Sequence, residues 1–433
     1  MLTGSSEERT GIPVFARPER EPVVVAIPVV RPYLDILETP GAWRFSLAAW
    51  FGRIMRSTAG IGAILLVAGS ADNYALAGAV SGSVVLGAAL AGPLWSRAAD
   101  SRGQTAVLPF AIAAAILGAT ALIAAVEIGA PVWTWFVAAF LVGASSIDAG
   151  SLARARWVHL LTTPEKRHTS LALESVGDEF TFVIGPPVVT LLAGLVSPAF
   201  GLTVGVGVSV LGLAALLIQR STAPIPGAER SRSRSWLPLT VLALLAGYTG
   251  VGFQFGAVDL TAVGVANELG APALAGLLLS VFAIGSVLSG LVFGAVSAHW
   301  SPLRRVWIAG VAFAIVMPLF LLVHDVPTLA IASLLAGTVT TPVLISGSSL
   351  IEQTVNRATI TSAMAWPTVA LSLGVTAGAS LSGAAIDSAG AYAGLFVPAL
   401  GGILVGACGV LNAVIRRSLS PRHEPDEPAR GDR

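Results

Sequence analysis

The chain has 433 residues, of which 55% are hydrophobic and only 11% charged, with a formal net charge of +1 and a mean hydropathy of +0.81. A soluble domain carries about a quarter charged residues, so this composition excludes an ordinary soluble fold and points to a membrane protein. The near-zero charge leaves no electrostatic footprint for nucleic acid, and a single cysteine, Cys408, rules out an intramolecular disulfide.

In chain order, residues 1–42 mix acids, arginines and prolines, and their apolar run PVVVAIPVV is too short to span a bilayer. They read as a solvated tail without a signal peptide. Apolar blocks of about twenty residues or more then recur as far as Ile415, each long enough to cross a hydrocarbon core as a helix. The short polar breaks exclude a β-barrel, whose strands alternate and run about ten residues. The expectation is an all-α integral membrane protein with twelve spans, at 47–69, 74–96, 105–126, 131–152, 170–194, 199–219, 237–260, 271–296, 305–323, 327–351, 358–386 and 391–415. A Pro/Ser/Arg-rich linker at 220–236 separates a six-helix unit at 43–219 from a second at 237–416, and 417–433 is a polar tail.

Arginines set the orientation. On one side lie the N-terminal arginines, Arg97, Arg102, Arg154, Arg156, Lys166, Arg167, the linker, Arg304, Arg305, Arg357 and the C-terminal cluster. The opposite loops carry Asp72, Glu127, Glu268, Asp325 and Asp387, and no Lys or Arg. The positive-inside rule then predicts cytoplasmic termini in a plasma (inner) membrane protein, with Trp133 and Trp135 in the outer aromatic belt.

Glycines relate the two units. Ala75–Gly78 and Ala273–Gly276 both read ALAG, followed by Gly87 and Gly92 in one and Gly285 and Gly290 in the other. Gly185, Gly194 and Gly201 match Gly374, Gly383 and Gly390 in spacing. Span two is thereby paired with eight and five with eleven, as in parallel repeats about an axis along the membrane normal. Small residues there let helices approach and rock.

Twelve spans in a six-plus-six arrangement, with a basic linker and a charged loop after span two, resemble the major facilitator superfamily of secondary transporters. Its loop signature, Gly-x-Leu-Ala-Asp-Arg/Lys-x-Gly-Arg-Arg/Lys, stands here as Ser96 to Thr105, matching at Asp100 and Gly103 with Arg102 displaced. The resemblance implies two six-helix bundles and a conformational latch at Asp100, Arg102 and Gly103, facing the start of span eleven near Ala358. The stretch ALESVGDEFTFVIGPPVV, from Ala172 to Val189, looks like span five of bacterial drug exporters of that superfamily. Gly185-Pro186 matches the core of their antiporter motif, while Ala172, Thr181, Val189 and Thr190 stand where further glycines would. The Arg-centred span-four signature of proton-coupled members is not recognisable.

Span five places Glu174, Asp178 and Glu179 in the membrane, at about 2.5–3.5 kcal/mol for each charged acid near the centre. At about 100° per residue, Glu174, Asp178, Thr181 and Gly185 share one stripe and Glu179 points away. One reading makes Asp178, then Glu174, a proton-coupling carboxylate; Glu179 reads as structural. The other is an ion pair that fixes packing, with Arg53 and Arg56 in span one or Arg156 in span four as partners. The two overlap, since a pair that breaks on protonation is a switch. Asp148, before Arg154 and Arg156, reads as paired with them.

Spans one, four, seven and ten line the cavity in the superfamily, which makes Asp148, Tyr248, Gln254, Thr338 and Thr341 candidate substrate contacts. Thr and Gln also serve as interhelical glue. Pro342 and Pro367 sit inside spans, where they kink a helix. The leading expectation is alternating access with proton-coupled efflux of a small amphipathic or drug-like compound. The alternatives are a proton-coupled uptake permease for a small metabolite and a transport-inactive sensor or scaffold. An enzyme is disfavoured because no metal-spaced His cluster, Cys nucleophile or Walker-type stretch occurs. No cofactor is expected beyond a proton gradient; the partners are the bilayer, the substrate and protons, and a monomer suffices.

Overall fold

The computed structural model describes residues 31–71, 73–224, 239–296, 300–354 and 360–419. It contains twelve helical spans long and apolar enough to cross a membrane, and each overlaps a span expected from hydropathy. The tail is not wholly solvated: α1 (Arg31–Leu37) packs on the first bundle and Ile36 is fully buried beside Phe45 and Trp157. An apolar residue in a polar context needed only one groove to order its turn.

Two spans are broken. The first consists of α2 (Ala42–Gly52) and α3 (Ile54–Ala71), joined at Arg53. The fourth consists of α6 (Val132–Ala144) and α7 (Ala149–Leu160) with Ser145–Asp148 between them, where hydropathy predicted one continuous segment. The other spans of the first bundle are α4 (Tyr74–Arg102), α5 (Gln104–Glu127), α8 (Pro164–Leu195) and α9 (Pro198–Ile218). The second bundle is built from α10 (Leu239–Glu268), α11 (Ala273–Val296), α12 (Pro302–Val316), α13 (Val326–Thr354), α14 (Ile360–Ala389) and α15 (Phe396–Leu419). Pro342 and Pro367 lie inside α13 and α14.

The bundles meet along two seams, α4 against α14 and α8 against α11. Glycines set the distance. A Cβ on Gly78 would sit 2.6 Å from the carbonyl oxygen of Ala379, and one on Gly194 would sit 2.6 Å from Cβ of Pro272. Gly276 is likewise pressed on Pro187 and Gly383 on Tyr74. The repeat holds within the bundles too: Gly87 meets Phe140 of α6 as Gly285 meets Leu334 of α13, and Gly185 meets α3 as Gly374 meets α10. It ends at the last members, since Gly201 packs on α8 whereas Gly390 takes a positive φ of 93° in a turn.

Both seams lie toward the end of the molecule whose loops carry the acids. There Tyr74 N and Ala75 N donate to Asp387 at 2.8 and 2.9 Å. Ser280 Oγ donates to the carbonyl of Val183 at 2.7 Å, and Thr376 Oγ1 to that of Gly82 at 3.1 Å. Every interbundle hydrogen bond and glycine contact named here lies in that half of the seam helices, and Gly92, further along α4, has nothing within 4 Å.

Candidate functional site

The first bundle holds a buried ionic cluster where its two broken spans meet α8. Arg53 stands at the α2–α3 junction with φ −95° and ψ −4°, only 2% exposed. The turn aims its guanidinium at α8, where Glu174 and Asp178 lie one turn apart on one face. Nη2 of Arg53 pairs with Oε2 of Glu174, while Nη1 donates to Oδ1 of Asp178 and to the carbonyl of Glu174, both at 2.9 Å. The other Asp178 oxygen pairs with Arg154 of α7.

Glu174 is fully buried and saturated: its Oε1 also accepts from Ser46 Oγ at 2.7 Å and from the indole of Trp157 at 2.8 Å. Buried charge is tolerable only with such complete pairing. Gly150 leaves room for the arrangement, since a Cβ there would lie 3.1–3.2 Å from Asp148 Oδ1, Arg154 Nη1 and Asp178 Oδ1.

Several sequence expectations are corrected here. Arg156 does not reach Asp178; it points the opposite way and bonds Gln104 Oε1, Thr222 Oγ1 and the carbonyls of Gln219 and Leu216 at 2.8–2.9 Å. Residues two apart on a helix face about 200° apart, so Arg154 alone meets α8. Asp148 pairs with neither. It caps α7, accepting from Gly150 N at 3.0 Å and Ser151 N at 3.2 Å, and faces Arg56 at 3.8 Å across solvent. The side chain of Glu179 lies outside the described residues.

In the second bundle the candidate contacts are mostly interhelical ties. Tyr248 is buried, donating to the carbonyl of Leu344 at 3.0 Å and bonded to Ser348 Oγ at 2.9 Å. Gln254 is fully buried and accepts from Thr340 Oγ1 at 3.0 Å. Thr341 bonds Ser286 of α11, and Thr338 turns back on the carbonyl of Leu335 at 2.7 Å. Asp100 and Arg102 are exposed at the end of α4, with Gly103 at a positive φ of 89°. Their expected partner, near Ala358, lies outside the described residues.

One residue was missed. Asp259 is half-buried inside α10 and makes no hydrogen bond or ion pair among the described residues. The predicted span ended at 260, which put this acid at the interface. The helix continues to Glu268, about 13 Å further, and that places Asp259 within the membrane.

The model of the Major Facilitator Superfamily matches residues 45–261 and again 242–432. The chain belongs to the major facilitator superfamily. Among solved structures, a mutant form of the nucleoside transporter NupG superposes with a TM-score of 0.69 at 15% identity, over 86% of this chain and 99% of that one. A POT family transporter in complex with 5-aminolevulinic acid gives 0.66 at 10% identity, over 88% and 97%. A bacterial homolog of the human lysosomal transporter Spinster, inward-facing and occupied, gives 0.64 at 16% identity, over 91% and 99%. No curated protein matches by sequence. The superfamily fold makes this protein a multi-pass membrane transporter rather than an enzyme.

Proposed function

We propose that the protein exports a small amphipathic or drug-like compound across the plasma membrane in exchange for protons, by alternating access. The observation that carries this reading is the position of the contacts between the bundles. The glycine-lined seams and the hydrogen bonds that join the bundles lie at the acidic end, and none of those named lies at the arginine-rich end. With cytoplasmic termini, as the arginine distribution argues, this is the inward-facing state that loads cargo from the cell or the inner leaflet. The likeness to an inward-facing Spinster homolog supports the assignment. Spans lined mainly by apolar and weakly polar groups suit an amphipathic cargo better than a sugar or a phosphate.

The Arg53–Glu174–Asp178–Arg154 cluster serves here as a clamp that moves α2, α3, α7 and α8 as one body. Three guanidiniums, with Arg56 included, face three carboxylates, with Asp148 included, so positive and negative groups are equal in number. Rigid bundles rocking about a midplane site then need a coupling group outside the clamp.

The test is the pH gradient of inside-out vesicles while a panel of lipophilic dyes and drugs is added. Export predicts that at least one compound collapses the gradient only where the protein is present. Inward accumulation of a metabolite in whole cells, with no response from the panel, would overturn export in favour of an uptake permease. The nucleoside and POT transporters among the structural neighbours give that second reading its footing.

A further inference from the structure

We infer that Asp259, on the face of α10 turned toward the junction of the two bundles, is the carboxylate that binds and releases the coupling proton. The inference rests on the proton-coupled reading above and adds the group that carries the proton.

Its neighbours on the helix fix where Asp259 points. At about 100° per residue it lies about 40° from Phe255 on one side, and about 20° and 60° from Gly252 and Gly256 on the other. Phe255 packs edge-on against Phe282 of α11, with ring centroids 5.4 Å apart. Gly252 and Gly256 are pressed on the backbone of α14, at Leu371 and Val375. Asp259 therefore faces the groove between α11 and α14, the two helices that carry the second bundle's half of both seams. Its height is fixed by Thr261, whose Oγ1 lies 3.5 Å from Ser382 Oγ on α14. One turn below on α14, Ala379 meets Gly78 across the seam, its carbonyl oxygen 2.6 Å from a Cβ built there. The acid thus lies at the level of the seal, on the cleft side of α10, and is half-buried.

Among the described residues no positive charge compensates it. The helices packed on α10 are α11, α13, α14, α15, α3 and α4, with the short turn Ala391–Leu395. Helix α11 has no titratable residue, α13 has only Glu352 near its arginine-rich end, and α14 has only Asp387, which is held by the N-terminus of α4 at the acidic end. On α15 the titratable groups are Cys408, bonded to the carbonyl of Ala243 low on α10, and Arg416 and Arg417 near its C-terminus. The turn adds Tyr392, α3 adds Arg56 at its opposite end, and α4 adds Tyr74 at one end with Arg97, Asp100 and Arg102 at the other. On α10 itself Tyr248 is tied to α13 and Glu268 to Ala391 N. In the first bundle Asp148, Glu174 and Asp178 each face an arginine. Asp259 does not.

An ionised carboxylate without a partner among apolar helices is costly, and an intramembrane acid in that position marks an ion or proton pathway. A proton from cleft water, bound as the carboxyl O–H, removes the charge while the groove is closed over it. When the seams at the acidic end part, the same group is opened to the other side and exchanges its proton there. Asp259 sits at the level where the seal opens and shuts, so its access alternates with the bundles.

The test is an infrared titration of the purified full-length protein in lipid, which needs no cargo. A protonated carboxyl sheltered from bulk water absorbs at higher frequency than an exposed one. The wild type is expected to show such an upshifted band growing as pH falls. Asp259→Asn should lose it, Asp259→Glu should retain it at a displaced frequency, and Asp178→Asn should leave it in place. A band that persists in Asp259→Asn, or no upshifted titrating band in the wild type, overturns the assignment. If Asp259→Asn fails to fold, the displacement in Asp259→Glu decides alone. In vesicles, Asp259→Asn should abolish the gradient collapse produced by any active compound. A present band, with no active compound and inward accumulation of a metabolite, would sink the export reading and leave the proton site standing, so the two failures are separable.

Discussion

The indole N–H of Trp157 donates to Oε1 of Glu174 at 2.8 Å, with both side chains fully buried. Because Oε2 of the same carboxylate pairs with Arg53, one residue of α8 ties the lower halves of both broken spans. A break in a membrane helix frees backbone groups that must be satisfied locally, and this bundle places its densest side-chain bonding where the breaks occur.

Removing Glu174 should therefore be among the most damaging single changes in the first bundle. Glu174→Ala leaves a buried guanidinium and two donors without their acceptor, a loss of about 3–5 kcal/mol by analogy with other buried pairs. Unfolding of the purified protein in detergent is the measurement. The double change Arg53→Met, Glu174→Met should recover most of the loss; if it is as unstable as the single change, the pair contributes more than compensation of charge.

Asp178 should behave differently. It is 27% exposed and held by two arginines, and the clamp reading assigns it no proton. Asp178→Asn is expected to lower stability by less than Glu174→Ala and to preserve proton movement driven by an active compound in vesicles. Loss of that movement in a well-folded Asp178→Asn protein would return the coupling role to the cluster.

Asp148 is a helix cap rather than an ion-pair partner of Arg154. Asp148→Ala should cost about 0.5–2 kcal/mol, and Asp148→Ser should restore most of it, because a serine oxygen can cap α7. If the pair with Arg56 mattered more, Arg56→Ala would cost as much. At 3.8 Å between exposed groups that pair is expected to contribute under about 1 kcal/mol.

The twelve spans were legible because blocks of about twenty apolar residues can do little else in a chain this hydrophobic. The glycine repeat was legible because a missing side chain is an absolute signal, and Gly78 and Gly276 proved to be contact points of the seams. Phase was not legible. Nothing in the sequence decides whether Arg154 or Arg156 faces α8, since that depends on where α7 starts, and α7 starts after a break that hydropathy averages away. The same blindness to boundaries hid Asp259, whose meaning changed when α10 proved to continue to Glu268.

A pH effect is expected at the turn before α13. Asp325 accepts from Thr328 N at 2.8 Å and from its hydroxyl, which together hold the carboxyl below its ordinary value. A depressed pKa in the folded state means a contribution present above the unfolded value and lost as pH falls through the folded one. Thr328→Val should bring the Asp325 titration, followed by NMR of labelled aspartate, back up toward that of a free side chain. An unmoved titration would show that the backbone N–H alone is responsible.

The seams make the strongest mechanical prediction. A Cβ on Gly82 would overlap Thr376, coming within 2.9 Å of its Cα, so a large side chain at position 82 cannot be housed while the acidic end is closed. The helices of a packed seam are not continuously deformable, and the bundles must therefore part there. Rocking about a midplane then closes the arginine-rich end. Spin labels at Arg97→Cys and Ser301→Cys, exposed on the two bundles at that end, report the change, and the buried native Cys408 should not compete. Gly82→Phe is expected to shift the distance distribution to shorter values and to reduce transport of any active compound at least tenfold, because a transporter held in one state cannot turn over. Gly92→Phe, where nothing lies within 4 Å, should leave the distribution unchanged. Equal effects from the two substitutions would mean that the α4–α14 seam is not the seal.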